Sequence, residues 1–178
     1  MEILRLTRFQ LGELKLTKYF PGIVGKITEE HAIYYYENWG LDISFETQVA
    51  QELSDFLIKF QEDRDGFWIA TIAGAFAGSI AIDGRNQSKE GSRLRWFIVT
   101  PRFHRSGIGK TLLKKAIDFC KQAGHKRIYL WTFKGLESAR YLYEKEGFRL
   151  CKTHEVRQWG QDIEEQMFEL NLSISGEE

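Results

Sequence analysis

The residues best placed to do chemistry lie between Leu94 and Thr111, in the segment LRWFIVTPRFHRSGIGKT. An apolar run ends at Thr100-Pro101, a short basic loop follows, and Gly107-Ile108-Gly109 arrives where a helical pattern begins. Glycines at such a junction let backbone N–H groups approach a ligand with no Cβ in the way, and the first turn of a helix carries N–H groups without intrahelical partners. Together with the helix dipole they make a cradle for phosphate.

Two familiar phosphate motifs fit this cradle poorly. A P-loop, GxxxxGK followed by Ser or Thr, would end at Gly109-Lys110-Thr111, but His104 stands where its first glycine belongs. The run Ile80-Ala81-Ile82-Asp83 imitates a strand ending in a Mg-binding aspartate, so a P-loop-like nucleotide-binding protein stays as the least favoured reading. The dinucleotide pattern GxGxxG has Leu112 at its third glycine, and the strand that should end in an acid ends Trp131-Thr132-Phe133.

The elements that must position the cradle can be read from periodicity. Residues 1–13 mix apolar and basic positions without a period and read as an N-terminal arm or an extra strand. Leu14 to Phe20 alternates like a strand, Pro21 suits the start of a helix running to Trp39, and Phe45 to Gln61 has the spacing of a second amphipathic helix. Phe67 to Ile72 and Ala75 to Ile82 flank Ala73-Gly74 as antiparallel strands, and a polar loop leads to the strand Arg93 to Val99. A helix opens at Gly107 with Leu112, Leu113, Ala116, Ile117 and Cys120 inward, and it ends at Gly124. The strand Arg127 to Phe133, a short helix Leu136 to Glu146, and strands near Phe148 to Val156 and Glu165 to Leu172 complete the order. A mixed sheet with helices on both faces, of the α/β (α+β) class, is the economical packing.

Bulk properties narrow the classes. With 178 residues, 43% hydrophobic and 14% aromatic, the chain is expected to form a single domain over residues 1–178 around one core. Its 25 basic and 25 acidic residues leave no global footprint for nucleic acid or an anionic membrane. Cys120 and Cys151 lack metal-ligand spacing and read as reduced core thiols, and no metal site is expected. His31 and His125 also lack ligand spacing and read as surface or capping residues. No apolar stretch reaches membrane-span length and the N-terminus lacks a signal-peptide core, so a cytoplasmic location is expected.

Against this background, His104-Arg105-Ser106-Gly107-Ile108-Gly109 resembles the coenzyme A loop of the GNAT acetyltransferases, Q/R-x-x-G-x-G/A, at both glycine positions, with His104 departing from the Gln or Arg. Ala139 to Phe148, ARYLYEKEGF, resembles the AxxLYxKxGF helix of the same family, with Leu136 where an asparagine is common. Leu94-Arg95-Trp96, Trp131 to Leu136, and Trp159-Gly160 with Glu165-Gln166 are similar to the acetyltransferase half of bacterial MarR-GNAT fusion regulators, whose DNA-binding half has no counterpart in these residues. The resemblance implies the GNAT fold, a mostly antiparallel sheet of about seven strands, and N-acetyltransferase activity. It implies direct acetyl transfer from acetyl-CoA, as cosubstrate, to a primary amine of a small molecule or protein.

On that reading the pantetheine pairs with backbone around Ile98 and Val99, where an N–H meets the thioester carbonyl as charge develops. The pyrophosphate sits on N–H groups of Arg105, Ser106, Gly107, Ile108, Gly109 and Lys110, with His104 beside it. Lys114 and Lys115 join Lys110 as a rim for the 3′-phosphate. Leu136 and Ala139 border the arm. Tyr143 is the proton donor to the departing thiolate, with aromatic packing as its other role. Glu37, His154 and Glu155 are the candidate bases unless water carries the proton, and Tyr34, Tyr35, Tyr36, Trp39 and Trp131 could line the acceptor pocket. An acyl-CoA-binding sensor or interaction module with little catalysis is the alternative. Neither nucleic acid nor membrane is an expected partner, and a homodimer through the aromatic-rich terminal strands stays open.

Overall fold

The computed structural model describes residues 12–173, so the reading of an arm or extra strand over residues 1–13 falls almost wholly outside the described residues. Within them the elements follow in the expected order: β1 (Leu14–Thr17), α1 (Ile23–Trp39), α2 (Ile43–Ile58), β2 (Gly66–Ile72), β3 (Ala75–Asp83), β4 (Ser92–Val99), α3 (Ile108–Gln122), β5 (Arg127–Phe133), α4 (Glu137–Lys145), β6 (Arg149–Gln158) and β7 (Gln161–Asn171). The seven strands form one sheet ordered β1-β2-β3-β4-β5-β7-β6. Only β4 and β5 are parallel; every other neighbouring pair is antiparallel. This is the mixed, mostly antiparallel α/β sheet expected from the sequence.

Each face of the sheet is covered for a reason visible in the helices. On α3, Leu112, Leu113, Ala116, Ile117 and Cys120 are buried at helical spacing, and they pack with Ile80, Leu94, Ile128, Leu130 and Phe168. The other face carries α1 and α2, whose Ile23, Ile27, Phe45, Val49, Leu53 and Phe56 meet Ile69, Ala81, Trp96 and Phe133. Asp42 caps α2 by accepting the Ser44 N–H at 2.9 Å.

Three local expectations are corrected. The last hairpin is longer than its apolar residues suggest, because Gln161, Asp162 and Glu164 continue the ladder with polar, largely solvent-facing side chains. Its turn is Trp159-Gly160, both at positive φ (52° and 78°), a conformation that matches strand twist. Cys151 is exposed on β6 rather than in the core. His31 and His125 are buried rather than on the surface, at 6% and 3% exposure.

Candidate functional site

The central opening of the molecule begins with a defect in β4. Its register against β3 shifts between Ser79 and Ala81, so Trp96 and Phe97 together stand opposite Ile80. Trp96 adopts a positive φ of 46°, its carbonyl accepts the Ser79 hydroxyl at 2.7 Å, and its ring packs on Phe56. This is a β-bulge, and it swaps the faces of the strand. Before it Leu94 points to the α3 side; after it Phe97 and Val99 do. A Cβ on Gly78 would lie 2.6 Å from the Ile98 carbonyl oxygen, so glycine is what lets β3 hold the shifted strand.

Before the bulge is reached, β4 has already lost its other neighbour. The β4–β5 ladder has only the pairs Ser92↔Ile128 and Arg93↔Tyr129, and the two strands then diverge. The gap opens into a cavity of about 1030 Å³ that runs between the two layers of helices. Its walls include Ile98 and Val99 of β4, the loop from His104 to Lys110, and Leu136, Ala139 and Tyr143. Apart from Lys114 and Lys115, every residue assigned above to acetyl-CoA therefore borders one space.

The end of the cavity at the His104–Lys110 loop is built largely from backbone. After a 3-10 turn at Pro101–Phe103, the His104 Nε2–H donates to the Val99 carbonyl at 2.8 Å, and the Ser106 hydroxyl donates to the Phe103 carbonyl. The departing side chain at position 104 thus ties the loop to the strand it leaves. Arg105 and Gly107 have φ of 60° and 87°, turning the chain so that successive N–H groups converge before α3. No acidic residue lies in the first turn of α3 to compete for them. Gly109 sits where a Cβ would be 3.1 Å from Leu142, which brings α3 close to α4. Lys110 borders the cavity, whereas Lys114 and Lys115 stand on the exposed face of α3.

Tyr143, on the inner face of α4, is buried among Phe97, Phe148 and Phe168. Its hydroxyl makes no hydrogen bond within the described residues, and burial raises its pKa above the ordinary phenol value. At neutral pH it is a protonated donor. Leu136 precedes α4 and provides no side-chain cap.

The opposite end is lined by α1, α2, β5 and the last hairpin. His31 and Tyr35 stack with centroids 6.2 Å apart, and the His31 Nδ1–H donates to the Ile27 carbonyl at 2.8 Å, leaving Nε2 as an acceptor. Burial pushes His31 down to about 4, so the ring is neutral at pH 7, and burial also raises Tyr35. Gln48 of α2 accepts the Trp159 indole N–H at 2.8 Å. Arg95 pairs with Glu52, lies 3.6 Å from Asp83, and has its pKa pulled to about 10 by burial. Glu165 of β7 meets His154 at 3.0 Å.

Of the acceptor-side residues proposed from sequence, Tyr34, Tyr35 and Trp131 line the cavity. Tyr36 is 68% exposed, and Trp39 packs against Tyr35 and Phe133. Glu37, His154 and Glu155 do not line the cavity; Glu165, Glu52 and His31 are the carboxylates and the histidine in that end of its wall. The signal for His31 was its spacing four residues after Ile27 on the apolar face of α1. Nothing local marked Glu52 or Glu165. Among the described residues, no three His, Cys, Asp or Glu side chains gather as metal ligands.

The acetyltransferase (GNAT) family model matches residues 26–148. An uncharacterized N-acetyltransferase of Methanocaldococcus jannaschii is 29% identical over 92 residues, which cover 49% of this chain and 41% of that protein. The N-acetylaspartate synthetase of Danio rerio is 31% identical over 47% of this chain and 29% of its own length. The chain therefore spans only part of the length of the curated relatives it matches. Among solved structures, a GNAT-family acetyltransferase from Staphylococcus aureus superposes with a TM-score of 0.73 at 22% identity, covering 90% of this chain and 100% of that one. An acetyltransferase from Salmonella typhimurium, solved with its cofactor acetyl-CoA, gives 0.70 at 14% identity over 94% of this chain and 98% of that one.

Proposed function

Because the chain belongs to the GNAT acetyltransferase family, we propose that it is an N-acetyltransferase that moves the acetyl group of acetyl-CoA directly to a primary amine. The observation that carries this reading is the continuity of one cavity from the N–H cradle at Gly107, past the free edge of β4, to the Tyr143 hydroxyl. The dimensions suit a long ligand with an anionic end and a thioester end, and the Salmonella relative is a protein of this fold that holds acetyl-CoA.

In the reaction, the acceptor ammonium first loses a proton to water or to a group in the cavity wall. The amine nitrogen then bonds to the acetyl carbon while the carbon–sulfur bond breaks. Backbone N–H groups at the bulge stabilise charge on the carbonyl oxygen. The sulfur leaves with the electron pair and takes the Tyr143 proton, while the acylated nitrogen gives up its second proton to solvent, which returns a proton to Tyr143. A thiol of pKa about 8.5 needs only modest help, so Tyr143 contributes roughly tenfold to a thousandfold.

The protein acts as one acetyltransferase domain in the cytoplasm, on a small molecule or protein and without nucleic acid or membrane. Among the described residues, no helix is long and apolar enough to cross a membrane. Among the described residues β6 is an edge strand, the place where a second copy would pair in a homodimer. The likeness to MarR-GNAT fusion regulators rests on the residues quoted for it alone. An acyl-CoA sensor is the second reading, favoured by the uncapped Leu136. Calorimetric titration with acetyl-CoA, followed by CoA release with an amine panel, separates them. Absence of binding overturns both, and binding without release overturns the enzyme.

A further inference from the structure

Among the described residues, one buried polar group in the cavity wall has no hydrogen-bond partner. Arg93 borders the cavity at the root of the cleft, where β4 and β5 are still paired. It stands two residues before Arg95 on the α2 side of the sheet, since the bulge comes only afterwards. Its Nε–H is buried without a hydrogen-bond partner. Among the described residues its guanidinium forms no ion pair and lies over no aromatic ring.

The carboxylates nearby are already committed. Asp83, directly across the ladder from Arg93, binds Arg85 at 2.6 Å and approaches Arg95 at 3.6 Å. Glu52 pairs with Arg95. Buried polar groups are almost always hydrogen-bonded, and a guanidinium is a rigid fork shaped for a carboxylate. The missing partner is an anion that arrives through the cavity.

Resting on the N-acetyltransferase reading, we propose that the acceptor is a small amine that also carries a carboxylate, and that Arg93 binds this carboxylate. Arg93 lies where β4 and β5 are still paired, at the last rung before the strands diverge. Glu165, elsewhere in the cavity wall and, among the described residues, not paired to an arginine or lysine, supplies negative charge for the acceptor's ammonium. The site thereby complements a zwitterion, holding the two charged ends apart so that the amine points toward the thioester end of the cavity. A carboxylate–guanidinium contact in this setting is a strong, directional one.

The test compares glycine, β-alanine, γ-aminobutyrate and aspartate, each with its fully amidated counterpart, by calorimetry on the unaltered protein saturated with CoA. In at least one pair the carboxylate is expected to bind about 10- to 100-fold tighter than the amide. Arg93→Gln is expected to erase that preference, and Arg93→Lys to restore part of it. The proposal is overturned if no carboxylate outbinds its amide, including the case where none binds, or if the preference survives in Arg93→Gln. Titration with acetyl-CoA on the same samples reports folding and separates the two levels. Loss of acetyl-CoA binding in the unaltered protein defeats the acetyltransferase reading, while retained binding with indifferent amines defeats only the role of Arg93.

Discussion

At the scale of single residues, two buried rings carry opposite expectations. Tyr143 holds its proton past the ordinary phenol pKa because burial penalises the phenolate. Activity should therefore show no loss from this group up to about pH 10. Tyr143→Phe keeps the aromatic packing and should lower kcat roughly tenfold to a thousandfold with acetyl-CoA affinity unchanged, which steady-state kinetics against calorimetry would check. His31 titrates near 4 in the folded protein but near 6.5 when unfolded, so the unfolded state binds more protons between those values. Stability is thus intact above pH 6.5 and falls as pH drops toward 4. The loss attributable to His31 is about 2 kcal/mol by pH 5, measured as the urea-midpoint shift from pH 7 that His31→Gln removes. Tyr143 was legible in the sequence through its helix motif. His31 was legible only as a position four residues after Ile27 on the apolar face of α1, because the environment that buries its ring is made by elements far along the chain.

At the scale of elements, the cradle and the bulge each depend on one residue without a side chain. Gly107 has φ of 87° with open space where a Cβ would stand. Gly107→Ala should cost roughly 1–2 kcal/mol in backbone strain and, on the proposed reading of the cradle as the pyrophosphate site, weaken acetyl-CoA binding. Gly78→Ala has a different cause, a 2.6 Å clash with the Ile98 carbonyl. Either β4 moves or the ladder breaks, so denaturant melts should show a loss of about 1–3 kcal/mol and calorimetry a weaker acetyl-CoA complex. The cradle was readable because strand, glycine turn and helix are contiguous in sequence. The bulge was hidden because it is a relation between Ser79–Ala81 and Trp96–Phe97, and the alternation of β4 looks regular when read alone.

At the scale of the whole molecule, the sheet is one ladder with a wedge removed between β4 and β5. Those two strands share two paired positions, whereas β5 and β7 share seven. The amides of residues 95–99 on the side facing the wedge should exchange rapidly with deuterium in the ligand-free protein and slow on addition of acetyl-CoA. Unchanged protection there would remove the pantetheine from this edge. The strand order could be anticipated only in part, because sequence periodicity marks strands but does not say which neighbour is missing. The wedge also has a bearing on how long the protein survives. On the proposed reading, in which acetyl-CoA completes the inner edge of the sheet, the fold is sturdiest when that metabolite is abundant: a hundredfold excess over Kd contributes about 2.7 kcal/mol. Starved of acetyl-CoA, the same chain should melt earlier and be cut sooner by proteases, so its abundance in a cell would follow the supply of its own substrate.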